Sequence, residues 1–280
     1  MIPLSYNLNG LRNLSIFDAI DAVKKNHYTG AELSLHKSQI NPFTITQSET
    51  RLIKQKMNDS GLFFPALATG ADTLLSEVRF EPSLICASET GRKKRIDLIK
   101  KAIDLANEWG IKIVNFASGL KDEQVSMRQS SEYLINAINT LLNHSDGITL
   151  AIEPEPGMFI ETTTQAVELI DTINRNNFKL NLDIGHANCC EDDYVNKMDI
   201  CLPYAVHAHI EDIKDRVHYH LIPGEGDIDF KEVLSVFIKH NYSGYLSVEL
   251  YNHTDVYETA LSKSYEKLKA ELKDLNQVHV

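Results

Sequence analysis

A single (β/α)8 TIM barrel of the α/β class is the fold that this sequence predicts, on three observations. Short apolar runs alternate with longer amphipathic segments, eight of each, and strict alternation implies a parallel sheet that eight strands can close. No GxGxxG or P-loop follows any strand candidate, which weakens the runner-up, a doubly wound open sheet. The 280 residues suit one barrel, and no linker or shift in composition divides them. Residues 1–280 therefore read as one domain, with its active site at the C-terminal ends of the strands.

The strand candidates are residues 3–6, 31–35, 63–69, 111–117, 148–153, 178–183, 205–209 and 244–249. The helix candidates are 15–26, 46–60, 89–109, 122–143, 162–174, a short one near 192–197, 230–240 and 255–275. Ser15-Ile-Phe-Asp18 reads as a capping box, and Thr162 and Thr163 can cap the fifth helix. Glycine breaks at Gly30, Gly61, Gly110 and Gly244 mark helix ends.

Composition excludes several classes. With 28 basic and 39 acidic residues the net charge is −11, which repels phosphate backbones and anionic membranes, so no nucleic-acid partner and no membrane association are expected. The four cysteines, Cys86, Cys189, Cys190 and Cys201, lack CxxC spacing and suggest a reduced, cytoplasmic setting. The N-terminus has no signal-peptide pattern, and no apolar stretch approaches a membrane span. Oligomeric state leaves no trace in the sequence.

Strand parity locates the chemistry. Leu150 and Ile152 alternate with Ala151 and Glu153, Leu180 and Leu182 with Asn181 and Asp183, Val206 and Ala208 with His207 and His209, and Leu246 and Val248 with Ser247 and Glu249. One face is aliphatic and suits helices; the other turns polar at the strand end, where barrel sites lie. Four consecutive strands thus end in Glu153, Asp183, His209 and Glu249, which the barrel can bring to one point. Three carboxylates and an imidazole suit Mn2+, Mg2+, Co2+ or Zn2+, and carboxylates so crowded need a cation. Glu32 and Ser34 share inward parity and read equally as pocket lining or as core hydrogen bonding.

The segments LAIEPEPG, LNLDIGHA, HAHIED, HLIPGEGDIDF and LSVELY resemble the xylose-isomerase-like superfamily of sugar (phosphate) isomerases and epimerases. That superfamily also includes hydroxypyruvate isomerases, ketose 3-epimerases, inosose dehydratases and endonuclease IV-type enzymes. The resemblance is close from strand five to strand eight and follows only the general pattern before that. It implies that Glu153 and Glu249 are both metal ligands and the acid/base pair of an enediolate reaction on a sugar, cyclitol or small hydroxy-carbonyl compound. It implies that His186 sits beside the metal and contacts substrate oxygen, and that Arg216, if it reaches the mouth, holds a substrate hydroxyl or neutralises the enediolate. The roles of His186, His218, His220 and Arg216 stay open between a second metal ion and contacts with substrate.

A dehydratase (lyase) is the alternative within the superfamily. An endonuclease IV-like repair enzyme is disfavoured, because strands three and four read FPALATG and VNFASG with no histidine. A non-catalytic barrel sits poorly with four intact ligands. The partner expected is a small polyol or keto-sugar. The absence of a glycine loop that could cradle phosphate leans toward an unphosphorylated one. Its identity would depend on loops such as 70–91 and 187–199.

Overall fold

The computed structural model describes residues 2–70 and 73–278. Eight parallel strands close into a barrel in the order β1 (Leu4–Asn7), β10 (Leu246–Val248), β7 (Ala205–Ile210), β6 (Phe178–Asp183), β5 (Thr149–Glu153), β4 (Ile113–Ala117), β3 (Leu67–Ala68) and β2 (Gly30–Ser34). Helices α1 (Ile16–Lys25), α2 (Gln47–Ser60), α3 (Glu89–Trp109), α4 (Met127–Leu142), α5 (Thr163–Ile173), α8 (Phe230–Lys239) and α9 (Tyr257–Val278) cover the outside. Between β6 and β7 lie two short helices, α6 (Ile184–Cys190) and α7 (Tyr194–Cys201). Between β7 and α8 stands an antiparallel hairpin, β8 (Asp212–Lys214) and β9 (Val217–Leu221).

Local chemistry accounts for the boundaries. Ser15 caps α1 by accepting from the Asp18 amide, and Thr162 caps α5 in a reciprocal box with Gln165. Ser126, with Gln129 as its box partner, starts α4 five residues later than the pattern suggested. Gly110 ends α3 at φ +81°, a conformation that a side chain would resist. The third strand shrinks from the expected 63–69 to Leu67–Ala68 because Pro65 has no N–H to give the ladder.

The parity read from the sequence holds except at Val206, which is only half-buried where β7 slips its register against β6. Leu150, Ile152, Leu180, Leu182, Ala208, Leu246 and Val248 are fully buried in the aliphatic layer against the helices. The lumen carries a second, polar layer of Ser5, Glu32, Asn115, Asn181, His207 and Ser247, all 1% exposed or less. Its bonds cross the barrel: Asn115 donates to Glu32 at 2.8 Å, and His207 Nε2 lies 3.0 Å from the same carboxylate. This polar floor supports the residues at the mouth.

Candidate active site

Glu153, Asp183, His209 and Glu249 converge at the mouth, with one ligand-capable atom from each lying within 4.8 Å of the others. His209 Nδ1 is the hub, 2.9 Å from Glu153 Oε1, 3.7 Å from Asp183 Oδ2 and 3.7 Å from Glu249 Oε1. The other ring nitrogen, Nε2, lies 3.1 Å from both oxygens of Glu32. A carboxylate behind an imidazole fixes the ring and points its second nitrogen at the site. Glu32 is therefore a hydrogen-bonded core residue; Ser34, from the same strand, lines the cavity above.

Two asparagines that the sequence reading missed hold Glu249. Asn7 Nδ2 and Asn9 Nδ2 donate to its Oε1 at 3.0 and 2.9 Å. Asn7 ends β1 at inward parity, so the rule that found the four would have found it too. Asp183 also caps α6 by accepting from the His186 amide at 2.7 Å, while its other oxygen is buried with no hydrogen-bond partner.

Electrostatics mark the cluster as short of positive charge. Burial pushes the Glu249 carboxyl up to about 8, and the neighbouring Glu153 and Asp183 push the same way. Burial alone would lower the His209 pKa, but Glu32, Glu249 and Glu153 outweigh it and hold it well above its usual value. Burial opposes ionisation of Asp183 as well, yet His186, His209 and His220 keep its carboxyl well below the usual range. Without a cation, a charged imidazole is the counter-ion of these carboxylates. A divalent cation could replace that proton.

Ligand-capable atoms of His186, His218 and His220 likewise lie within 4.8 Å of one another. His186 Nδ1 donates to the Pro154 carbonyl at 3.0 Å and His220 Nδ1 to the Glu249 carbonyl at 2.9 Å, so Nε2 is the atom that each ring has left for a ligand. His218 Nε2 stands 3.2 Å from His220 Nε2. Burial lowers the His218 pKa to about 4 and that of His220 to about 3, so both rings are neutral at pH 7. His218 and His220 share one face of β9, so an extended segment aims both at His186.

Arg216 lies elsewhere. With Asp215 it forms the positive-φ turn of the β8–β9 hairpin, and its side chain folds onto α6, donating to the Asn188 carbonyl at 3.0 Å and pairing with exposed Asp192. Arg12 and Arg79 line the cavity instead. A third missed residue is Glu211, fully buried, with both oxygens unpartnered, its carboxyl pushed well above the usual range by burial and by Asp183. Cys189 and Cys190 follow the site motif, but burial raises their thiols to about 11 and about 12, which leaves them inert.

Above the cluster opens a cavity of about 290 Å3. Of the four strand-end residues only Glu153 and Glu249 line it, together with His186 and His218; Asp183 and His209 sit beneath. Part of its wall comes from the loop between β3 and α3, of which residues 71 and 72 lie outside the described residues.

The chain resembles an uncharacterized protein of Methanocaldococcus jannaschii at 30% identity, over 68% of this chain and 66% of that protein. It resembles the L-ribulose-5-phosphate 3-epimerase of Shigella boydii at 22% identity, over 58% of each. The chain thus spans about three fifths to two thirds of the length of these curated relatives. A solved D-tagatose 3-epimerase-like protein superposes with a TM-score of 0.84 over 100% of both chains at 20% identity, a likeness of fold. The family model described as xylose isomerase-like TIM barrel matches residues 20–274. A match that runs from within α1 to within α9 covers far more than half of the chain, which therefore belongs to the xylose isomerase-like TIM-barrel family.

Proposed function

We propose that this protein is a divalent-metal-dependent isomerase or epimerase of a sugar, cyclitol or small hydroxy-carbonyl compound, with Glu153 and Glu249 as its acid/base pair. One observation carries the reading: the two glutamates of the four-residue cluster are the two that reach the cavity wall, and they come from β5 and the end of β10, with β6 and β7 between them. Carboxylates on two sides of a bound carbon can remove a proton from one face and return one to the other.

The residues present fit a cation. Three carboxylates and one imidazole converge, Asp183 Oδ2 is buried and unpartnered, and Glu32 orients His209 from behind. Mn2+, Mg2+, Co2+ and Zn2+ all accept that donor set. Such an ion, when bound, polarises the carbonyl of a hydroxy-carbonyl substrate and stabilises its enediolate. Asn7 and Asn9 hold one Glu249 oxygen, so the carboxylate keeps its aim when its proton moves. His186 and His218 line the wall next to the pair and offer contacts to substrate oxygens, or, with His220, a second ion site.

The test uses Glu153→Gln and Glu249→Gln in Mn2+-loaded protein, with ketoses and cyclitols in D2O and the carbon-bound proton followed by NMR. Each replacement keeps volume and one oxygen ligand, and turnover should fall by roughly 10²–10⁴-fold. Exchange that persists in one variant while net epimerisation disappears supports a base on each face. Release of the neighbouring hydroxyl as water would make the protein a dehydratase. Wild-type turnover in both variants at full metal occupancy would sink the acid/base assignment.

A further inference from the structure

The cavity wall carries three carboxylates, Glu153, Glu155 and Glu249, and also two arginines, Arg12 and Arg79. Arg79, in the loop between β3 and α3, lines the cavity beside Phe80 and Tyr251. Its guanidinium carbon lies 5.6 Å from the centre of the Tyr251 ring and 5.4 Å from that of Phe80. Aromatic rings on which an arginine rests hold its planar fork in place while leaving the N–H edges available. Among the described residues the Arg79 side chain makes no hydrogen bond and no ion pair; Glu155 also lines the cavity, and the Arg79 charge acts to lower its pKa, but the two form no ion pair within 4.0 Å.

The loop is built to keep Arg79 there. Phe80 sits at φ +67°, a left-handed conformation that costs an aromatic residue energy and that needs its surroundings to enforce it. Ser76 Oγ lies 3.0 Å from the Val78 carbonyl and 2.8 Å from the Glu81 carbonyl, and accepts from the Val78 amide at 3.1 Å. The buried Arg95 donates from Nε to the Pro82 carbonyl at 2.9 Å. A second guanidinium, that of Arg12, donates to the Tyr251 carbonyl at 3.0 Å on the same wall.

We propose that Arg79 is a specificity residue that receives an anionic group of the substrate, a phosphate ester or a carboxylate. This rests on the reading of the site as one for a polyhydroxy carbonyl compound. A guanidinium fork matches the paired oxygens of either anion. On a chain of net charge −11 an anionic small molecule gains nothing from the general surface, so a cavity-lining arginine with unused donors is the feature that would admit it.

The test is calorimetric binding of ribitol, ribitol 5-phosphate and ribonate to the Mn2+-loaded wild type, Arg79→Met and Arg79→Lys. Wild type should prefer one of the anions over ribitol by about tenfold or more, the usual gain from a hydrogen bond to a charged group. Salt should erode that preference, Arg79→Met should abolish it, and Arg79→Lys should keep part of it. The preferred anion tells phosphate from carboxylate. Equal binding of all three probes, a preference that survives in Arg79→Met, or no binding of either anion would overturn the proposal. These alditol and aldonate probes have no ketone to enolise. The outcome is therefore independent of the Glu153 and Glu249 roles, which stand or fall on the D2O experiment.

Discussion

His209 joins the polar floor of the barrel to its mouth. Its Nε2 meets Glu32, whose carboxyl His209 and His207 hold well below the usual range against the opposing effect of burial, and its Nδ1 meets Glu153. A cation at the cluster must displace the proton from Nδ1, and it must also displace the proton that Glu249 holds up to about pH 8. Metal uptake near pH 7 should therefore release protons, and affinity should rise as the pH rises through about 8. Titrations of Mn2+ in buffers of different ionisation enthalpy measure the release directly and give the number of ions per chain. An affinity flat between pH 6 and 8 would show that no proton leaves, contrary to the raised Glu249 value of about 8.

The Asp-x-Gly-His element turns a strand into a helix without a loop. Asp183 ends β6 and caps α6, so one side chain both starts the helix and faces the cluster. Gly185 follows for lack of space: a Cβ there would lie 1.8 Å from Glu211 Oε1. Asp212 does the equivalent for the PGEGD segment, its two oxygens accepting from the Gly224 and Gly226 amides at 2.8 Å and the Ile228 amide at 3.1 Å. Those glycines thus tie the hairpin to α8. Gly185→Ala should cost about 1–3 kcal/mol, the usual penalty for overpacking, and should loosen metal binding because α6 carries Asp183 and His186 with it. Chemical denaturation measures the loss. Adding Glu211→Ser should recover part of it, and an unchanged midpoint in Gly185→Ala alone would contradict the crowding.

At the scale of the molecule, barrel closure makes a site from residues spread over the whole chain: Asn7 and Glu249 are 242 positions apart and share a hydrogen bond. No helix among the described residues is long and apolar enough to cross a membrane. The net charge of −11 acts over the same scale. A duplex containing an abasic site should bind weakly at physiological salt, with a shallow salt dependence, because few phosphate contacts can release counterions. Gel-shift and nicking assays with metal present would check this; efficient metal-dependent nicking would overturn the ranking and put the repair-enzyme reading first.

What the sequence determined by itself was periodicity and its consequences. Alternation of apolar runs fixed the barrel, and parity within strands five to eight picked out Glu153, Asp183, His209 and Glu249, because a strand sends every second side chain to the same side. It could not decide which residues meet across the lumen. Glu32 stood undecided until the closed barrel set it against His207 and His209, 175 and 177 positions away. Nor could it place side chains from loops, where no period constrains direction. Arg216 turned away onto α6 because its hairpin turn points there, and Arg79 came into the cavity because Ser76, Arg95 and two aromatic rings hold its loop in that shape. Regular elements carry their geometry in local pattern; pairing across a barrel and the aim of a loop depend on contacts that exist only once the chain has closed.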